Sequence, residues 1–184
     1  MKPPYHIVTK SIFIGLLTLF SFLTASAQHH EDPPTIVSRL DPPSIKPGLE
    51  IHRDTLIKKI AESDKDFIFK QEKKLNNLPN FIAVDANKSS VQLIGKTDEL
   101  VMAKWTFVFT PDSKINMTEL EKMAWFTYLM GYTNGKNWFL EKIAEVNKDF
   151  NKDFSDVRSF DYNRKGEFKY TTHPKTLTLT FKTW

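Results

Sequence analysis

The sequence predicts an α+β domain in which a mostly antiparallel sheet carries a helical hairpin on one face, in the order β-β-α-α-β-β-β after an N-terminal helix. Three observations predict it. Val101, Ala103, Trp105, Phe107 and Phe109 alternate with Met102, Lys104, Thr106, Val108 and Thr110, a period of two that suits a half-buried strand. Apolar residues at helical spacing fill 116–130 and 137–150, with a short glycine-containing stretch between them. The last 25 residues alternate again, broken by turn residues at Asn163-Arg164-Lys165-Gly166 and at His173-Pro174-Lys175, the pattern of a strand meander.

Taken from the start, Lys2 and Lys10 precede and flank the apolar stretch 11–23, and Ala25-Ser26-Ala27 follows. That is the order of a cleavable secretory signal peptide, and about 13 apolar residues fall short of the roughly 20 that a spanning helix needs. Cleavage after Ala27 leaves a chain that begins at Gln28 and is not inserted in the membrane, so a periplasmic or secreted location is expected. Removing residues 1–27 takes two lysines and no acid from the formal +4, leaving +2 over 157 residues. Lysines alternate with acids along the remainder, as in Lys58-Lys59 with Glu62 and Asp64. A nucleic-acid binder would instead concentrate cations on one face. With no cysteine, an exported domain has no disulfides to support it, and the core alone must carry its stability.

Residues 28–48 hold five of the ten prolines and too few apolar side chains to fill a core, and they read as a proline-rich tether. The single domain spans 49–184. Its first helix is expected from Asp54, with Ile57, Ile60, Ala61, Phe67, Ile68, Leu75 and Leu78 near one face and Pro79 as the stop, a break near Ser63 being the alternative. Short β-rich runs follow at 81–85, 91–95 and 101–110. Asn116 with Glu119 has the spacing of a capping box and Gly131 that of a C-terminal stop. The helix between them is apolar on nearly every side, which predicts that other elements wrap it. Tyr132–Lys136 forms the connector of the hairpin, and Asn137 caps the next helix. The closing strands are centred on Phe160 and Tyr162, on Phe168 and Tyr170, and on Leu177, Leu179 and Phe181.

Four groups of residues could carry chemistry. A chain starting Gln28-His29-His30 could bind copper(II) or nickel(II) through its amine, two amides and the imidazole of His30. Asp149, Asn151 and Asp153 occupy positions 1, 3 and 5 of a calcium loop, but Phe154 and Phe160 stand where glycine and a bidentate glutamate are required. Glu119 and Glu121 are explained as first-turn acids favoured by the helix dipole. The aromatic connector offers Tyr132 and Trp138, with Asn134 and Lys136 as polar neighbours, as a binding surface for a protein, peptide or glycan. No nucleophile elbow or cysteine nucleophile is present, and no cofactor is implied. The expected function is non-catalytic binding outside the cytoplasm. The alternative is an exported enzyme with a dispersed active site, a hydrolase of envelope or extracellular polymers.

Overall fold

The computed structural model describes residues 48–161 and 163–183. Helix α1 (Arg53–Ser63) leads into four strands, β1 (Lys70–Leu75), β2 (Leu78–Val84), β3 (Ser90–Lys96) and β4 (Glu99–Val108). A long helical element, α2 (Ser113–Lys148), is followed by β5 (Phe154–Ser159), β6 (Lys165–Thr172) and β7 (Lys175–Lys182). The seven strands form one sheet in the order β1-β2-β3-β4-β7-β6-β5, with every neighbouring pair antiparallel. Two meanders therefore meet at the β4–β7 seam, and α2 is the crossover between them.

The alternation read in β4 sets the inner face of the sheet. Ala103, Trp105 and Phe107 are buried, and their partners across the seam are Phe181, Leu179 and Leu177. Near its start the strand gains a residue: Ile94 pairs with Met102 but Gly95 pairs with Leu100, so Val101 is extra. A bulge of this kind shifts the side-chain parity, and Leu100 joins Ala103 in the core although three positions separate them. Phe126, Met130, Trp138 and Phe139 of α2 complete the core from the helical side.

Several sequence expectations about elements need correction. The first helix stops at Ser63, where the alternative break was expected, rather than running to Pro79, and Lys70–Leu75 is a strand. Its side chains are exposed throughout, so apolar periodicity could not reveal it. What holds it is a hairpin turn at Asn76-Asn77, both at positive φ (49° and 64°), as tight hairpins require. The strand expected at Phe160–Tyr162 lies earlier, at Phe154–Ser159. Phe160 leaves the ladder to pack against Trp138 (5.4 Å) and Phe181 (5.5 Å).

The two expected helices are present, and Gly131 ends the first as expected, but they meet directly across non-helical backbone at Gly131 and Tyr132, with no five-residue connector between them. The N-cap of α2 is Asp112, whose Oδ1 accepts from the backbone N–H of Lys114 (2.8 Å) and Ile115 (3.4 Å). Asn116 sits inside the first turns, where its side chain exchanges hydrogen bonds with the backbone of Thr110 (2.9 and 2.8 Å). The first half is not wrapped on all sides, because Lys114, Thr118, Glu121 and Tyr128 are exposed along one stripe at intervals of four, three and seven.

Candidate functional site

The break in α2 is built by its neighbours. Arg164 donates from Nη1 to the carbonyl of Met130 (2.7 Å), one of the carbonyls that a broken helix leaves without a partner. Its Nε is ion-paired to Asp161 (2.5 Å). Burial works against the charge of Asp161, but hydrogen bonds from Asn163 and Arg164 outweigh it and hold its carboxyl below the usual range. Phe160 lies directly under Gly131, where a Cβ would come within 2.9 Å of its ring. At Gly135 a Cβ would stand 2.3 Å from the carbonyl oxygen of Thr127. That approach, across eight residues of sequence, is what lets the chain bend so abruptly.

Tyr132 carries the conformational cost. Its backbone lies at φ 51°, ψ −147°, near a region that is almost exclusive to glycine and costs about 1–3 kcal/mol. Glycine stands one residue earlier, at φ −140°, so the residue expected to absorb the turn does not. The side chain obtains little burial in return, being 66 % exposed. Its ring meets Tyr128, itself 43 % exposed, edge to face at 6.5 Å and 87°, and the Arg164 guanidinium lies 6.0 Å from the ring centre. Asn134 is exposed and Lys136 is half-buried.

Trp138 is not part of this surface. It is 1 % exposed, sits against Phe160, Phe168 and Phe181, and donates from Nε1 to Asp156 (2.7 Å). Six residues separate it from Tyr132, and the resumed helix turns it into the core. The aromatic partner on the surface is Tyr128, one turn before the break, which the sequence reading assigned no role.

A second cluster lies midway along the first half of α2. Lys122 Nζ contacts Asp64 (2.5 Å), Glu119 (2.6 Å) and Asp85 (3.3 Å). Glu119 also accepts from Asn87 (3.0 Å) and from the hydroxyl of Ser89, while Asp85 accepts from the backbone N–H of Ser89 (2.7 Å). Glu119 is thus a fully buried acid rather than a solvated first-turn residue. Burial opposes its charge, but Lys122, Ser89 and Asn87 override that and lower its pKa. Asp64 is lowered for the same reason, with burial outweighed by Lys122 and the Asp66 N–H. Asp85 goes up, because burial and the adjacent Glu119 charge both disfavour ionisation. Burial would lower Lys122, but its carboxylate partners raise it. The cluster ties the C-cap of α1 and the β2–β3 turn to α2, and each of its acids is engaged by a partner inside the protein.

The acids at 149–153 have structural partners as well. Asp153 accepts from the N–H (2.8 Å) and hydroxyl (2.7 Å) of Thr172, and Asn151 accepts from Lys175 (3.3 Å). Among the described residues, no three His, Cys, Asp or Glu side chains form a metal-binding group. Gln28, His29 and His30 lie outside the described residues. No described helix is long and apolar enough to cross a membrane. Comparison with models of protein families, with curated proteins and with solved structures returns no match.

Proposed function

We propose that this chain is an exported, non-catalytic binding module that engages its partner through the break in α2. The observation that carries the reading is Tyr132: a large aromatic side chain held on the surface by a backbone conformation that disfavours it. Strain of this kind persists where surrounding structure enforces it and clusters at functional sites. Exposed tyrosines make good anchors because they add contact area at a low entropy cost. Export rests on residues 1–27 and their signal-peptide pattern. The Lys122 cluster serves this module as scaffold, since its buried acids face one another and Lys122 rather than an open surface.

Two measurements test the proposal. Mass spectrometry of protein from a bacterial host should find a chain starting at Gln28, and recovery of intact Met1 in the cytosol would remove the export reading. In a pull-down from envelope extract, wild type should retain a stoichiometric partner that Tyr132→Ala loses while staying folded and within about 1 kcal/mol of wild-type stability. Equal retention by both would remove the assignment of the site.

A further inference from the structure

We propose that β5 is the interface with a second copy of this chain: two β5 strands pair antiparallel about Val157 and join the two sheets edge to edge. The inference stands apart from the Tyr132 reading and uses none of its residues.

The open sheet has two edges, β1 and β5, and they differ in kind. An edge strand exposes unpaired backbone groups, and proteins that stay apart blunt it with lysines, proline or a bulge. β1 carries Lys70, Lys73 and Lys74 along six exposed residues, and its ladder with β2 shifts register between Glu72 and Leu75. β5 has none of these devices. Its sequence Phe-Ser-Asp-Val-Arg-Ser contains neither lysine nor proline, and it pairs with β6 without a register shift from Phe154 to Ser159. Among the described residues, no backbone–backbone hydrogen bond outside that ladder involves β5, so the N–H and C=O groups of its far side are open. Val157, near the middle of the strand, is 55 % exposed.

The charges of β5 select the occupant. Residues directly opposed in an antiparallel pair share a face and interact. A two-fold axis through Val157, perpendicular to the sheet, sets Val157 against its counterpart, Asp156 against Arg158 of the second copy, and Ser155 against Ser159. The strand is therefore self-complementary, as an isologous interface requires. An axis at Asp156 or at Arg158 would oppose like charges, so Val157 is the favoured centre. Both charged groups are available for the pairing. Arg158 is exposed and has no ion pair among the described residues, its guanidinium lying 6.0 Å from the Phe160 ring. Asp156 accepts from Trp138 Nε1 through Oδ2 (2.7 Å), which positions the carboxylate, while Oδ1 has only a long contact with Lys142 (3.9 Å). A six-residue edge is a small interface, so the dimer is weak and concentration-dependent.

Sedimentation velocity of the full chain tests the pairing, and single cysteines report its register, since the chain has none of its own. Wild type should dimerise reversibly in the micromolar range. Val157→Lys gives β5 the kind of residue that guards β1, and Arg158→Asp sets an acid against Asp156. Each should raise the dissociation constant at least tenfold, and because both side chains are exposed the fold should survive, as circular dichroism will show. Val157→Cys should be joined to its counterpart by a short bis-maleimide. Ser155→Cys lies on the same face but about 13 Å along the strand from its own counterpart, beyond the reach of that linker, and should not be joined. A chain that remains monomeric up to millimolar concentration would overturn the inference. So would a dimer that either substitution leaves intact, or one in which Ser155→Cys cross-links as readily as Val157→Cys, because the copies would then meet on another surface or in another register.

Discussion

Replacing Tyr132 with glycine and with alanine separates the two contributions of that residue. At φ 51°, ψ −147° any residue with a Cβ bears a cost of about 1–3 kcal/mol. Glycine escapes that cost but loses about 0.5–1 kcal/mol through its freer unfolded chain. The ring makes one edge-to-face contact with Tyr128, in a class worth about 0.5–1.5 kcal/mol when well packed and less at 66 % exposure. Tyr132→Gly should therefore be as stable as wild type or up to about 1 kcal/mol more stable. Tyr132→Ala keeps the backbone cost and loses the ring contact, so it should fall below wild type by up to about 1 kcal/mol. Urea denaturation followed by tryptophan fluorescence reads both, with an unchanged m-value confirming that the same state unfolds. Glycine less stable than alanine would refute the reasoning, since the ring's packing rather than backbone strain would then dominate.

Further expectations concern the supports of the site and the core. Gly135→Ala drives a Cβ to 2.3 Å from the Thr127 carbonyl, a rigid backbone atom, and should cost more than Gly131→Ala, whose Cβ meets only the edge of the Phe160 ring at 2.9 Å; thermal melts of the pair check the order. Trp105→Ala and Phe107→Ala remove fully buried rings and should each cost about 3–5 kcal/mol, while neutral effects at both would contradict the burial of that strand face. Asp85→Asn removes a charge that the fold disfavours and leaves an oxygen to accept from Ser89 N–H, so stability at pH 7 should equal or exceed wild type. The variant's response to acid has a defined sign. Asp64 and Glu119 have lowered pKa values, so their contribution is present above their unfolded values and is lost as pH falls through the folded ones. Asp85 is raised, and its contribution is present below its unfolded value and is lost as pH rises through the folded one. Without Asp85 that partial compensation disappears, and chemical denaturation from pH 7 down through roughly pH 5–3 should show a steeper loss than in wild type. A variant less stable by more than about 1 kcal/mol at pH 7 would mean that ionised Asp85 is required to hold Lys122.

Elements that bury a regular stripe could be read from the sequence alone. Trp105 and Phe107 alternate because one face of β4 meets the core, and Leu177, Leu179 and Phe181 do so across the seam for the same reason. The α+β class, an antiparallel sheet and an exposed tyrosine at position 132 follow from such local patterns. β1 left no such signal, because an edge strand with every side chain in solvent is held by backbone pairing and by the turn at Asn76-Asn77. Asn-Asn was the clue available there. Glu119 and Trp138 were misplaced for another reason. Whether an acid at a helical position is solvated or buried depends on what stands opposite, and Lys122, Asn87 and Ser89 reach Glu119 only after the β2–β3 turn closes on α2. Similarly, Trp138 turns inward because the helix resumes directly after Tyr132, whereas a longer connector would have left its direction open. Local periodicity determined which residues face a core; only the tertiary structure decided that Tyr128 joins Tyr132, because their pairing depends on a bend enforced by Phe160, Arg164 and the close approach at Gly135.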